Sequence, residues 1–341
     1  MGRSRELAEL ASAYDGSSLG FRNRIINGDM RIDQRNAGAS VTVTNDSTYC
    51  VDRFAGHRGG VVSNYTLQQS STAPVGFSKS LLVTMGTGVT ITATSYAMLS
   101  QRIEGYNVAD LGLGTTNAVP FTLSFWVRSS VVGTFGVSFR NNSATATYCA
   151  TYAINSANTW EYKTVAIPAI TAGTWTTDNT AGVMVAWDLG AGVDYSAAAN
   201  QLTANGNNYF GVLGTTKLAA TTGATFYITG VQLEAGSTAT SFDYRPYGTE
   251  LALCQRYYEV FMQGFAGTLT SGHAAGIATP FAVVKRATPT VGQVASLNAS
   301  GFGAAVGAYF VTANYGVATY HTATTTGNCS WVDQTYATAE L

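Results

Sequence analysis

The sequence predicts an all-β protein: a jelly-roll β-sandwich with a short N-terminal helix and a small C-terminal β domain. Alternation is the first observation, since Leu123, Phe125 and Val127 alternate with Ser124 and other less apolar residues, as in a strand with one buried face. Clusters of Gly, Asn and Thr that separate such runs are the second observation. The third is a charged fraction of 11%, where a soluble domain usually carries about a quarter. Many short antiparallel strands with regular turns are typical of a sandwich.

Residues 1–20 are predicted to contain an anchoring helix. Leu7, Leu10 and Tyr14 recur at helical spacing, and an Asp-Gly pair follows them. A helix of about eleven residues is marginal in isolation, so it would need a surface to dock on. A frayed terminus and an anchoring or oligomerisation segment both stay open, and the second is favoured. The terminus lacks the apolar run of a secretion signal, so we expect synthesis in a cytoplasm without export by that route.

Residues 21–58 are predicted to form an arginine-rich collar that leads into the sandwich. Arginines and aspartates are interleaved there, so their charges cancel and a nucleic-acid surface is not expected. An ion-paired, tightly packed segment is predicted instead. The charged residues are Arg22, Arg24, Asp29, Arg31, Asp33, Arg35, Asp46, Asp52, Arg53 and Arg58.

The rest of the chain divides into three predicted parts. Residues 59–245 contain the sandwich, in which a change of phase between Tyr162 and Val165 predicts a β-bulge. Residues 246–260 begin with proline and predict a linker helix of two to three turns. Residues 261–341 predict a small β domain. Roughly 80 residues rich in Gly and Ala make a thin core, so self-association would supply the missing burial.

The overall charge and hydrophobicity exclude two classes of partner. The formal net charge is −1, with 18 basic and 19 acidic residues, so no overall attraction to nucleic acid follows. No stretch approaches the roughly 20 apolar residues of a spanning helix, so no membrane insertion is expected. Nucleotide-binding and dinucleotide-binding fingerprints are absent from the sequence, and we expect no cofactor.

Metal sites are not expected, with one weak exception. The cysteines are far apart and form no CxxC pair, which disfavours a structural zinc site. One disulfide stays open, but separate buried thiols are favoured, since free cysteine is among the most buried residue types. Asp188 and Asp194 flank a Gly-Ala-Gly segment and are weak calcium candidates. The cysteines are Cys50, Cys149, Cys254 and Cys329.

Catalytic groups are sparse, and we expect that the chain is not an enzyme. The three histidines follow no metal-ligand spacing. Cleavage of a polysaccharide would require two carboxylates about 5 to 10 Å apart. No Asp or Glu lies between Glu259 and Asp333 in the sequence, so the C-terminal domain lacks a carboxylate pair within one subunit. The carboxylates of the sandwich are expected in turns and at strand edges.

Aromatic residues of the C-terminal domain are the candidates for ligand contact. Sugar faces stack on tyrosine and tryptophan rings, but such rings also dominate the cores of small domains. Both interpretations stay open for each ring. The candidates are Tyr309, Tyr315, Tyr320, Trp331 and Tyr336.

Several segments carry a resemblance to a known family, among them 124–128, 285–290 and 339–341 beside those described next. Segments 23–35 and 49–54 resemble the opening of tail-fibre and minor tail proteins of tailed bacteriophages. Segments 230–236, 242–247 and 250–258 resemble a later part of the same proteins. In that family the two groups of segments bracket a jelly-roll domain that is similar to the carbohydrate-binding modules of glycanases. The resemblance covers nearly the whole chain and indicates a structural class rather than a ligand.

The resemblance implies a homotrimer in the virion, with a tail-attached N-terminus and a host-facing C-terminus. Leu7, Leu10, Tyr14, Arg22 and Arg24 are then the candidates for attachment to phage tail or baseplate proteins. The aromatic candidates would contact a host-surface receptor, either a glycan or a protein. A purely structural virion protein, such as a collar, baseplate or head fibre, is the alternative. A polysaccharide depolymerase is less favoured, because no Asp or Glu lies between Glu259 and Asp333 in the C-terminal part of the chain.

Overall fold

The computed structural model describes residues 22–204, 208–302 and 308–341. The predicted helix within residues 1–20 lies outside them. The chain divides after Pro246 into two compact units, called here the sandwich unit and the C-terminal unit. Within the described ranges, no helix is long and apolar enough to cross a membrane.

The sandwich unit consists of two large antiparallel sheets and one short parallel pair. The strands are β1 Val41–Val43, β2 Thr48–Tyr49, β3 Ala55–Gly59, β4 Tyr65–Ser70, β5 Ser80–Thr84, β6 Tyr96–Glu104, β7 Phe121–Ser129, β8 Gly133–Arg140, β9 Thr147–Ile154, β10 Glu161–Ile167, β11 Ala181–Asp188, β12 Ser196–Ala197, β13 Gln201–Thr203, β14 Gly211–Val212 and β15 Thr225–Ala235. The six-stranded sheet has the order β1-β4-β5-β15-β7-β10. The seven-stranded sheet has the order β13-β9-β8-β11-β6-β3-β2, and β12 pairs with β14.

The core lies between the two large sheets and contains the alternating residues that the sequence predicts. Leu123, Phe125 and Val127 of β7 are fully buried. The Trp187 ring of β11 in the facing sheet packs edge-on against Phe125, with ring centroids 5.9 Å apart. Each such side chain contributes about 1.5–3 kcal/mol through burial. The prediction of an all-β jelly-roll sandwich is confirmed.

The bulge predicted between Tyr162 and Val165 is wrong. Strand β10 pairs with β7 in unbroken register from Glu161 to Ile167. Tyr162 lies on the outward face, where its ring centroid is 5.4 Å from that of Trp126, and Val165 is buried in the core. The two residues belong to opposite faces of one regular strand. The apparent change of phase arises because an aromatic pair occupies the outward face.

The segment after residue 22 is joined to β15 by an asparagine side chain. Asn23 is buried, its Nδ2 donates to the Val231 carbonyl at 2.9 Å, and its Oδ1 accepts the N–H groups of Ile25 and Leu233 at 2.9 and 3.0 Å. The Gly28 carbonyl accepts the Val231 N–H at 2.9 Å. A Cβ at Gly28 would lie 2.1 Å from the Val231 carbonyl oxygen, so only glycine fits there. The segment thus supplies hydrogen-bond partners to the backbone of β15 at the point where its pairing with β7 shifts register.

Arg245 and Asp243, which lie near the C-terminal end of the sandwich unit in sequence, form hydrogen bonds with the same segment. The Nη1 of Arg245 donates to the Ile25 carbonyl at 3.1 Å, from a position 220 residues away in the chain. The Nη2 of Arg245 donates to the Asn23 carbonyl. The Asp243 carboxylate accepts the backbone N–H of Arg22 at 3.0 Å. Segments 23–35, 230–236 and 242–247 therefore meet in one junction, called here the motif junction.

The arginine-rich segment 21–58 is continuous with the sandwich, because β1 to β3 pair within the two sheets. Its arginines form both ion pairs and hydrogen bonds to the backbone. Arg31 pairs with Asp29, whereas Arg53 and Arg58 donate to backbone carbonyls of neighbouring segments. Arginines of this segment therefore tie it to neighbouring backbone as well as to carboxylates.

The C-terminal unit consists of one short helix and two three-stranded antiparallel sheets in the part of the chain that is described. Its elements are α1 Tyr247–Gln255, β16 Tyr258–Leu269, β17 Ala274–Pro280, β18 Thr290–Ser300, β19 Ala308–Thr312, β20 Gly316–Thr322 and β21 Gly327–Thr338. The sheets have the orders β16-β21-β18 and β17-β20-β19. The short helix predicted within residues 246–260 is confirmed.

The interior of the C-terminal unit contains buried pairs of titratable side chains. The Nε2 of His321 lies 2.6 Å from the Asp333 carboxylate, which also accepts the Gln293 amide at 2.7 Å. The Nζ of Lys285 lies 3.1 Å from the Glu259 carboxylate. Burial lowers the pKa of Lys285, and the carboxylate of Glu259 opposes that shift. Glu259 and Asp333 lie at the two ends of the stretch of sequence that has no Asp or Glu. Each of them therefore belongs to a buried pair.

We expect the substitution Asn23→Ala to lower the free energy of unfolding by about 2–4 kcal/mol, because it leaves a buried carbonyl and two buried N–H groups without partners. Chemical denaturation of the full chain measures the effect. Asn117→Ala is the matched control, since Asn117 is exposed, and it should change stability by less than about 0.5 kcal/mol. Equal effects of the two variants would contradict the structural role of the motif junction.

Candidate functional site

A pocket lies on the outward face of the seven-stranded sheet. Alternation sends one set of side chains on β6, β8 and β11 into the core and the other set outward. The outward set and the adjoining loops enclose a cavity of about 200 Å³, called here the sheet pocket. Its lining residues are Asp46, Ser47, His57, Tyr96, Met98, Arg102, Arg140, Tyr195, Asn208 and Phe210.

Three aromatic rings form one wall of the sheet pocket. Tyr96 begins β6, Tyr195 closes a single 3₁₀ turn at Val193–Tyr195, and Phe210 precedes β14. The Tyr195 and Phe210 rings stack with centroids 5.1 Å apart and planes 19° apart. The Tyr96 ring stands edge-on to both, at 5.0 and 5.1 Å. Phe210 is buried, whereas both tyrosines are partly exposed and offer ring surface to a ligand.

His57 is held as a neutral imidazole at the base of the pocket. Its Nδ1 accepts the Ser47 backbone N–H at 3.1 Å, so its proton resides on Nε2, which lies 2.8 Å from the Ser100 hydroxyl. Burial lowers the pKa of His57. The exposed Asp46 carboxylate lies 3.8 Å from Nδ1 and accepts the Tyr96 hydroxyl at 2.9 Å.

Two arginines form the opposite end of the sheet pocket. The strand register places Arg140, Met184 and Arg102 side by side on β8, β11 and β6. Arg140 is only 9% exposed, and its Nη2 lies 3.5 Å from the Met184 sulfur. Burial and the neighbouring charge of Arg102 lower the pKa of Arg140 to about 10, so it remains protonated near neutral pH. The pocket thus combines aromatic surface with positive charge.

The aromatic residues predicted as contact residues in the C-terminal unit do not form one surface. Tyr315 is 64% exposed at the turn between β19 and β20, and Tyr320 and Tyr336 are partly buried in different sheets. Trp331 is fully buried beside His321, so its prediction as a surface contact is wrong. The side chain of the fifth candidate, Tyr309, lies outside the described part of the structure.

The candidates for attachment fall mostly outside the structure. Leu7, Leu10 and Tyr14 lie outside the described residues. Arg24 pairs with the Asp110 carboxylate and donates to the carbonyl of the preceding candidate, Arg22, at 2.9 Å. Attachment through these residues stays a prediction.

The two weak calcium candidates do not form a cation site. Asp188 is fully buried, and its carboxylate accepts the N–H groups of Gly190 and Ala191 at 2.8 Å and the Lys217 ammonium at 3.0 Å. Asp194 is exposed in a neighbouring turn. Across the described residues, no group of three His, Cys, Asp or Glu side chains could hold a metal ion. A lysine therefore occupies the position that calcium would need at Asp188.

The cysteines and the remaining carboxylates have structural environments. All four cysteines are free and buried, as the sequence favours, and burial raises the pKa of Cys50 and Cys149 to about 12. Glu161 accepts the Lys163 ammonium at 2.6 Å, and Asp178 accepts the hydroxyl of Thr180 in its own turn. The absence of enzymatic activity stays a prediction.

No protein-family model matches the sequence, and no curated protein matches it. Several solved structures are similar over part of the chain. The enzymatically active domain of bacteriophage CBA120 tailspike protein 4 is 12% identical, with a TM-score of 0.31, over 63% of this chain and 21% of that one. The family 11 carbohydrate-binding module of a Clostridium thermocellum cellulosomal cellulase is 12% identical, with a TM-score of 0.28, over 59% of this chain and 98% of that one.

The carbohydrate-binding and catalytic modules of a Clostridium thermocellum xylanase, in complex with xylohexaose, are 14% identical, with a TM-score of 0.30. That similarity covers 58% of this chain and 30% of the xylanase chain. This chain thus spans about a fifth of the tailspike domain and under a third of the xylanase chain. All three TM-scores lie below 0.5, so these similarities carry no argument about function.

The sheet pocket was not predicted from the sequence. Its wall combines Tyr96, Tyr195 and Phe210, which come from separate elements, and no local pattern joins them. One signal was present, because Arg140 continues the polar face of a strand whose other face carries Phe135 and Phe139. Because an arginine on a central strand is taken out of water, it requires a hydrogen-bond acceptor. Its presence there indicates a binding site or a partner side chain close by.

We expect His57 to make the sandwich unit less stable as the pH falls below about 6.5. Because the folded-state pKa is lowered, the unfolded chain takes up the proton first, and stability is lost between the unfolded and folded pKa values. Unfolding temperatures measured from pH 7.5 to 5 report this loss of stability. The His57→Gln variant should lose less stability over that range than the parent chain does. If the His57→Gln variant and the parent chain lost the same stability over this pH range, a neutral, buried His57 would be contradicted. Asp46 also has a lowered pKa, so it reduces stability in the same direction, but only at more acidic pH. The control variant is His273→Gln in the C-terminal unit.

Proposed function

We propose that this protein binds a glycan in the sheet pocket. The observation that carries the proposal is the wall formed by Tyr96, Tyr195 and Phe210 beside a small polar cavity. Sugar rings present apolar faces to aromatic side chains, while their hydroxyls bond to a few well-placed polar groups. Asp46 offers acceptors and Arg102 offers donors at the cavity edge. The cavity is smaller than the pockets that bury drug-sized ligands, which suits a single sugar residue of a longer chain.

We propose further that the chain is a tail-fibre or minor tail protein of a tailed bacteriophage. Support comes from the resemblance of segments 23–35, 230–236 and 242–247, which form the motif junction of this fold. The proposed roles are attachment to phage tail or baseplate proteins through the N-terminal residues and contact with a host-surface glycan through the sandwich. The exposed Tyr315 of the C-terminal unit is the candidate for a second host contact. Several weak contacts on one virion would add up to strong adsorption.

The proposed assembly is a homotrimer held partly by the C-terminal unit. Met262, Val294 and Leu297 of its β16-β21-β18 sheet are 50 to 57% exposed. The interior of the unit holds charged and polar pairs in place of much of the usual apolar core, so burial of these outer residues against other copies would add stability. An exposed apolar sheet face of this kind is typical of a protein-protein contact.

A purely structural virion protein is the alternative. The sheet pocket favours glycan binding over it, since Tyr96 and Tyr195 leave part of their ring surface exposed beside the arginines. A binding assay separates the two, because a scaffold protein would bind no glycan.

We expect the Tyr195→Ala variant to bind its glycan at least tenfold more weakly, because the ring stacked on Phe210 supplies contact area that alanine lacks. A carbohydrate microarray of bacterial surface polysaccharides identifies the ligand, and calorimetry with that polysaccharide gives the affinity. Tyr106→Ala is the matched control, since Tyr106 is 61% exposed on another part of the sandwich unit. The proposal fails if no polysaccharide binds, or if both variants keep the full affinity.

We expect the full chain to be a trimer in solution and the Leu297→Lys variant to dissociate, because a charge on the exposed apolar face opposes its burial. Light scattering after size exclusion measures the mass. Val75→Lys is the control, since Val75 is fully exposed in the sandwich unit. A monomeric parent chain, or a trimer that Leu297→Lys leaves intact, would rule out this mode of assembly.

A further inference from the structure

The Arg140 guanidinium is buried without a strong acceptor. Among the residues that the structure describes, its Nη2 donates to the Met184 thioether and its Nε has no hydrogen-bond partner. A thioether is a weak acceptor. Proteins normally pair a buried charge with a carboxylate or several carbonyls, because desolvation of an unpaired charge is costly. Within the described residues, no Asp or Glu forms an ion pair with Arg140.

The other titratable groups that line the sheet pocket do not supply a carboxylate to Arg140. Arg102 lies two strands from Arg140 on the same face, about 10 Å away at the usual strand spacing. Asp46 is the acidic lining residue, and the Tyr96 hydroxyl already donates to it. His57 is neutral in its hydrogen-bonding arrangement. Among the described residues, Arg140 therefore has no carboxylate paired with it in the pocket.

We propose that the sheet pocket recognises an acidic sugar, whose carboxylate is bound by the guanidinium of Arg140. This inference rests on the proposed glycan binding and specifies the class of glycan. A planar guanidinium matches a carboxylate with two parallel N–H···O bonds. The rings of Tyr96 and Tyr195 would hold the sugar ring while its carboxylate reaches Arg140. A uronate carries one carboxylate per sugar, which is the acceptor that the Arg140 guanidinium lacks.

The ligand side of the test uses acidic polysaccharides in two forms. Polygalacturonate, alginate, hyaluronan and polysialic acid, together with any ligand found on the microarray, are compared with their carboxyl-reduced forms, which differ only in the loss of the charge. Calorimetry with the full chain should show at least a tenfold weaker affinity after reduction. A preference for neutral or sulfated polysaccharides, or equal binding of both forms, would overturn the inference.

The protein side of the test uses Arg140→Met, which keeps a long apolar side chain but removes the charge. Its affinity for the acidic form should fall at least tenfold and equal the affinity for the reduced form. Arg140→Lys keeps the positive charge but lacks the planar guanidinium. Its affinity for the acidic form should lie between those of the parent chain and of Arg140→Met. Arg128→Met is the matched control, since Arg128 stacks on Tyr227 in the six-stranded sheet, and it should bind like the parent chain.

Stability separates a binding role of Arg140 from a structural one. Because its guanidinium lacks a strong acceptor, Arg140→Met should unfold at the same temperature as the parent chain or a higher one. A large loss of stability would make Arg140 structural and overturn the inference. Binding of a neutral glycan that depends on Tyr195 but not on Arg140 would overturn this inference alone. If no glycan binds, the proposed function and this inference both fail.

Discussion

The sandwich depends on one constraint, the alternation of side chains between the two faces of each strand. On β11, Val183, Val185 and Trp187 enter the core, so Met184 must lie on the outward face. A shift of one residue would exchange the two sets and place apolar side chains in solvent. The same constraint therefore determines both the core and the composition of the sheet pocket. Arg140 lies in the pocket because Phe139 lies in the core.

The outward face of the seven-stranded sheet is itself largely covered, which is unusual for a solvated sheet face. Met98, Met184 and Phe210 form a second, smaller apolar cluster there, with Tyr96 and Tyr195 packed against it. A covered face holds its side chains in fixed positions, and this preorganisation lowers the entropic cost of binding a ligand. It also lowers the local dielectric around the arginines, so an anion would interact with them more strongly than it would at an exposed surface.

Local pattern was enough to predict the sandwich, the short helix after Pro246 and the free buried cysteines, because each depends on neighbours in the sequence or on residue type. The sheet pocket depends on which loop covers which face, and no periodicity reports that. Trp331 could have been assigned better. It lies five positions from Tyr336 on β21, and residues an odd distance apart on a regular strand face opposite sides, so the two rings could not share one contact surface.

The C-terminal unit shows the opposite balance from the sandwich. On β21 the inward face carries Asp333 and Thr335, whereas the outward face carries Val332 and Tyr336. Buried polar pairs specify one arrangement but add little net stability, since their desolvation offsets most of their attraction. The hydrophobic burial of the unit comes from small apolar clusters around Trp331 and Phe281. Met262, Val294 and Leu297 nevertheless leave apolar surface exposed on this unit, so any contact that covers these side chains would add to its stability.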